Sequence, residues 1–184
     1  MNQGFYNHSM ISKRFYPGKI VLAFIILIIA VTIGCEKKAS PAPIFDLILY
    51  ESKDYKNNEK YTFNPNNNKI TMINFWFPSC PPCISEMPDI DSAYLKYKDR
   101  IDVIGVQLIG IDSINDGKRF IEKGGFSYAI GGDKQGKISV DYDVTLFPTT
   151  LFIDHTGHIF ESWQGIIEEP EIAKIITSIL NTER

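Results

Sequence analysis

Lys69-Ile70-Thr71-Met72-Ile73-Asn74-Phe75-Trp76-Phe77-Pro78-Ser79-Cys80-Pro81-Pro82-Cys83 is the stretch on which the reading of this chain turns. Residues 69–77 are β-branched and aromatic and read as a buried strand. After Cys83, Glu86, Ile90, Ala93, Tyr94 and Tyr97 recur at helical spacing. The Cys-x-x-Cys pair therefore stands between a strand and the start of a helix. There, unpaired N–H groups and the helix dipole favour a thiolate over a thiol. The second cysteine lies about one turn inside, close enough to form a small disulfide ring. Half of a zinc site is the competing reading. A structural zinc site needs four Cys or His ligands, and the chain has no second Cys-x-x-Cys. A dithiol/disulfide redox centre is the better account.

Working outward, Phe45–Tyr50 reads as a short strand, and residues 57–68 as an Asn- and Lys-rich loop around a strand at 61–63. The active-site helix is expected to run to about Lys98, with Pro88 kinking it or resetting its first turns. Residues 101–109 carry no charge after Asp102 and read as a fully buried strand. A helix over 114–123 is closed by Gly124-Gly125. A short strand at 126–130 and a short helix at 137–142 follow. Residues 149–154 and 158–163 alternate around His155-Thr156-Gly157 as a hairpin. Pro170 opens a last helix, with Ile172, Ile175, Ile176 and Ile179 on one face.

The segment Asn74–Pro88 around Cys-Pro-Pro-Cys resembles the active-site segment of membrane-anchored, thioredoxin-like thiol–disulfide oxidoreductases of the ResA/TlpA type. Phe147-Pro148-Thr149-Thr150-Leu151-Phe152-Ile153-Asp154, followed by Gly157, is similar to that family's cis-proline segment. The resemblance covers roughly residues 43–182. One position departs from it: the family carries Trp before the first cysteine, and this chain has Ser79. The resemblance and the order of elements together imply an α/β thioredoxin fold with a mixed central sheet, an extra N-terminal strand and a central insertion. The expected division is a leader or anchor over 1–35, a tether over 36–43 and a thioredoxin-like domain over 44–184.

Cys80 is the expected nucleophile and the more exposed thiol of the pair; Cys83 is the expected resolving thiol. Prolines at both intervening positions remove two backbone donors, so the thiolate of Cys80 is expected to gain only modest stabilisation. That suits a reductant better than an oxidant. Glu86 lies one helical turn beyond Cys83. In the resembling family a Glu at this position acts on the thiols, and here it could take the proton of Cys83. Ordinary thioredoxins have a buried Asp where this chain has Asn74, which leaves Glu86 as the one nearby acid in this reading. The resemblance further implies a cis peptide at Pro148, exposing the backbone of Phe147 to a substrate peptide. Phe147, Pro148 and Trp76 are the expected substrate-binding residues. His155 and His158 have His-x-x-His spacing, but a strand separates them from Pro148, and they read as turn residues.

The N-terminus carries a second message. Lys13, Arg14 and Lys19 precede the apolar run 20–33, which ends in Thr32-Ile33-Gly34-Cys35. This is the layout of a secretory signal, and Gly34-Cys35 resembles a bacterial lipobox with Cys35 as the lipidated residue; an uncleaved signal anchor is the alternative. Either way the domain is exported and membrane-tethered in the bacterial envelope. With those three cations set aside, 16 basic residues face 22 acidic ones, a balance that argues against nucleic acid as a partner.

The sequence thus predicts a thiol–disulfide oxidoreductase with no cofactor beyond its own disulfide and no metal. Its expected partners are a membrane dithiol donor and oxidised exported proteins. Apocytochrome c is the leading substrate implied by the resemblance. A Cu(I) metallochaperone and a thiol peroxidase are the alternatives.

Overall fold

The structure, a computed structural model, describes residues 41–182. The expected leader, the expected lipidation site Cys35 and the first part of the expected tether lie outside the described residues. Pro41–Pro43 is packed against the domain and does not act as free tether. Ala42 is buried and donates its N–H to the Gly157 carbonyl, and the Tyr142 hydroxyl donates to the Pro43 carbonyl at 2.6 Å.

The elements run in the order β1 (Phe45–Ile48), β2 (Lys60–Phe63), β3 (Ile70–Trp76), α1 (Pro81–Tyr97), β4 (Ile101–Leu108), α2 (Ile114–Gly124), β5 (Ala129–Asp133), α3 (Lys137–Asp141), β6 (Thr149–Ile153), β7 (Ile159–Gln164) and α4 (Glu169–Thr182). A five-stranded mixed sheet has the order β5-β4-β3-β6-β7. β3, β4 and β5 are parallel; β6 is antiparallel to β3, and β7 to β6. β1 and β2 form a separate antiparallel pair, joined to β5 at Leu49 and Gly131. This is the expected thioredoxin fold with added N-terminal strands.

β3 is buried along its whole length because both faces of the central sheet are covered. Strand periodicity sends Ile70, Met72, Asn74 and Trp76 to one face and Ile73 and Phe75 to the other. On the first face Met72 and Trp76 join Cys83, Met87 and Ile90 of α1 and Ile172 and Ile176 of α4. On the second, Ile73 and Phe75 join Phe45, Phe63, Ile104, Val106, Leu151 and Tyr142. Asn74 is thus a polar residue set into the apolar layer beneath α1, and this placement builds the site.

α1 continues through Pro88 as one element to Tyr97. One expectation needs correction. The fifth strand, expected over 126–130, begins at Ala129 and runs on through Gly131-Gly132 to Asp133. The reason is crowding. A Cβ on Gly131 would lie 2.5 Å from the Ile48 carbonyl oxygen, so only glycine lets β1 approach β5. Ser127, within the expected strand, instead donates its N–H to the Asp91 carboxylate at 2.6 Å.

Candidate active site

Cys80 is the N-cap of α1, in extended backbone, and Pro81 and Pro82 occupy the first two helical positions. Proline fits there because those N–H groups have no intrahelical acceptor. The consequence is a shortage of donors around the first sulfur. The N–H of Cys80 itself goes to the Phe77 carbonyl at 3.1 Å. The N–H of Cys83 is the one that reaches Cys80 Sγ, at 3.3 Å. Cys80 and Cys83 form a disulfide, with Cα atoms 5.3 Å apart. Cys80 retains 4% exposure and Cys83 none, so Cys80 is the more exposed of the pair by a small margin.

Glu86 is fully buried and lies one turn beyond Cys83 on the inner face of α1. Its carboxylate is held at both oxygens. Asn74 Nδ2 donates to Oε1 at 2.7 Å, and the Ile167 N–H donates to Oε2 at 2.9 Å. Burial pushes its pKa up to about 7, against the opposing pull of the bonds from Ile167 and Asn74. A carboxyl poised near neutrality can hold or release a proton during thiol exchange. Asn74 Nδ2 also donates to Thr150 Oγ1 at 3.0 Å. One amide therefore joins β3, α1 and the strand that follows Pro148.

The Phe147–Pro148 peptide is cis. Phe147 is half-buried, and its ring meets Phe77 edge-on with centroids 5.4 Å apart. The Pro148 carbonyl accepts from the Gly165 N–H at 2.9 Å, which ties the β7–α4 loop to the same site. Trp76 is not a substrate-facing residue. It is fully buried and packs against Phe120 in the core, with centroids 5.7 Å apart. The reason is parity: Trp76 falls on the α1 face of β3.

An acid that sequence reasoning missed binds the residue before Cys80. Asp112, in the β4–α2 loop, accepts both the N–H and the Oγ–H of Ser79 on Oδ2, each at 2.8 Å. Glu86 is therefore not the sole acid at the site. Nothing local in the sequence marks Asp112, whereas Asn74 could have been paired with Glu86 from strand parity and helical spacing together. His155 and His158 sit at the β6–β7 turn, at the end of β6 away from Pro148, with His158 Nδ1 2.9 Å from Thr156 Oγ1. Among the described residues no cluster of three or more His, Cys, Asp or Glu side chains is placed to hold a metal, and no helix is long and apolar enough to cross a membrane.

Residues 39–162 match the AhpC/TSA family. The chain belongs to that family. Within it, the similarity is to thiol–disulfide oxidoreductases of the ResA type. ResA from Oceanobacillus iheyensis is 34% identical over 100 residues, which cover 54% of this chain and 51% of the relative. The thioredoxin-like protein YneN of Bacillus subtilis is 30% identical over 115 residues, covering 62% of this chain and 67% of YneN. Among solved structures, StoA from Bacillus subtilis aligns with a TM-score of 0.64 at 23% identity, over 75% of this chain and 98% of StoA; that likeness carries the fold. The aligned part spans about half the length of the first of these relatives.

Proposed function

We propose that this AhpC/TSA-family chain is an extracytoplasmic thiol–disulfide oxidoreductase that reduces disulfides of exported proteins through Cys80 and Cys83. The observation that carries this reading is the Cys80–Cys83 disulfide at the start of α1, with the buried carboxyl of Glu86 one turn below. In the reduced protein the Cys80 thiolate attacks a target disulfide. One target sulfur bonds to Cys80 and the other leaves as a thiolate, which takes up a proton. Cys83 gives up its proton, with Glu86 as the acceptor, and its thiolate attacks Cys80 Sγ. The mixed disulfide breaks, the second target thiol is released, and the Cys80–Cys83 disulfide re-forms. The target has gained two electrons, and a membrane dithiol donor restores the pair.

Phe147, whose ring meets Phe77 three residues before Cys80, and the cis Pro148 would receive an extended target segment along the strand edge. An N-terminal lipid on Cys35 would keep the domain at the membrane, next to its donor. Apocytochrome c, whose haem-attachment cysteines form such a disulfide, is the leading target.

The test is trapping. Cys83→Ser is expected to accumulate mixed disulfides with targets in membrane extracts, and Cys80→Ser is not. The reverse pattern would exchange the two roles, and no trapping by either variant would remove the oxidoreductase reading. The reduction potential sets the direction: about −270 mV or lower means a reductant, near −120 mV an oxidant. Incubation of the reduced protein with a disulfide-bonded apocytochrome c peptide decides whether that target is accepted.

A further inference from the structure

Ser79 and Asp112 are joined by two hydrogen bonds of 2.8 Å, both to the same carboxylate oxygen, immediately before the first cysteine. Neither residue has a part in the exchange steps above. Their effect on the reacting sulfur follows from counting donors. A thiolate at a helix start is stabilised by nearby N–H groups and by positive charge. Here Pro81 and Pro82 contribute no N–H, and the N–H of Cys80 is taken by the Phe77 carbonyl. The next donors upstream are the N–H and Oγ–H of Ser79, and Asp112 takes both. The Cys83 N–H is left to serve Cys80 Sγ. Asp112 also brings a carboxylate to the end of α1 where a negative charge on sulfur would form.

We propose that Asp112, acting through Ser79, is a positioning residue that holds the Cys80 thiolate back and so sets the disulfide couple toward the reducing side. Reduction of the Cys80–Cys83 disulfide by two electrons gives Cys83 as a thiol and Cys80 as a thiol or thiolate. Whatever stabilises the thiolate draws the couple toward its reduced form, and whatever opposes it favours the disulfide and makes the dithiol a stronger electron donor. Asp112 comes from the β4–α2 loop and Glu86, with Asp89 one turn further on, from α1 itself. The segments after β3 and before β6 present Phe77, Phe147 and Pro148. The inference rests on the oxidoreductase reading for its biological meaning, but the thiol chemistry can be measured without any target.

The experiment compares Asp112 with Asp112→Asn and Asp112→Glu in the full chain carrying Cys83→Ser, reduced with dithiothreitol. Alkylation of Cys80 by iodoacetamide is followed across pH by mass spectrometry of its peptide, which separates it from Cys35. Asn keeps an acceptor for Ser79 and removes the charge. It is expected to raise the alkylation rate at pH 6.5 about three- to tenfold, moving the titration to lower pH. The gain should shrink in 1 M NaCl, where a partly exposed charge is screened. Glu should restore behaviour close to that of Asp. With both cysteines present, the Asn variant should stay reduced at dithiothreitol ratios that leave the wild-type pair oxidised, again by three- to tenfold. A titration that is unchanged, moves upward or ignores salt overturns the inference, and unfolding falls in the last group because it would expose Cys80 at any salt. If Cys80 responds as expected but no target is trapped, the oxidoreductase reading fails and this one stands.

Discussion

Asn74 Nδ2 donates to Glu86 Oε1 at 2.7 Å, joining the centre of β3 to the buried face of α1 across 12 positions of sequence. The same nitrogen donates to Thr150, while Asn74 Oδ1 is buried without a hydrogen-bond partner. A buried acceptor left unpaired costs about 1–3 kcal/mol, so this amide is held where it is by what it does for Glu86. Three consequences around this pair and its surroundings can be measured.

Glu86→Gln is expected to leave the fold intact. Rotating the Asn74 amide would bring its unpaired oxygen to the new side-chain NH2 group, so the hydrogen bonds can be re-formed. Resolution of mixed disulfides by Cys83 should slow by about tenfold to a hundredfold, the low end for loss of a general base. Stopped-flow release of a labelled target peptide measures this; equal rates would remove Glu86 from the proton path.

Stability should carry the signature of the same carboxyl. Burial raises the pKa of Glu86 from 4.5 to about 7, so the folded state holds a proton that the unfolded state releases between those values. Its contribution is fully present below pH 4.5 and is lost as pH rises through 7. Urea unfolding of wild type and Glu86→Gln, compared at pH 4.5 and pH 7.5, should show the variant gaining on wild type by about 3 kcal/mol, at 1.36 kcal/mol per pKa unit.

Asn74→Asp would set two carboxyl groups at hydrogen-bonding distance in a buried layer, where both cannot be charged. The pair should share one proton and titrate as a unit. Little loss of stability is expected at pH 5, and a loss on the order of 2–4 kcal/mol at pH 8. Denaturation midpoints at the two pH values check it.

Gly131→Ala probes the contact between the N-terminal strand pair and the main sheet. The added Cβ would meet the Ile48 carbonyl oxygen at 2.5 Å, and backbone cannot yield as a flexible side chain would. A cost of about 1–3 kcal/mol is expected from overpacking, with faster amide exchange in 45–50. Ala at Gly110, which has open space around it, should show no steric cost, although its positive φ of 132° adds strain of its own.

The mature N-terminus is a separate matter. If Cys35 is the lipidation site, mass spectrometry of the membrane-bound protein should find a chain that begins at Cys35 and carries acyl groups. An intact N-terminus with unmodified Cys35 would leave the signal anchor.

Sequence alone was enough for the strand–Cys-x-x-Cys–helix unit, the last helix and the β6–β7 hairpin. Each is encoded locally: an apolar run, a proline at a helix start, a two-residue alternation around a glycine turn. The helical spacing from Cys83 to Glu86 likewise needs nothing beyond the period of the helix. What it could not reach depends on which residues the sheet order brings together. β3 lies between β4 and β6, and that placement puts Asn74 beside both Glu86 and Thr150 and carries Trp76 into the core. The loop after β4 brings Asp112 to Ser79 from 33 positions away, and Gly131-Gly132 is strand because it pairs with Val106 and Gln107 of β4. Burial of Glu86, and hence its raised pKa, comes from α4 and the Ile167 backbone closing over α1. A carboxyl has no shifted pKa until the fold removes its water.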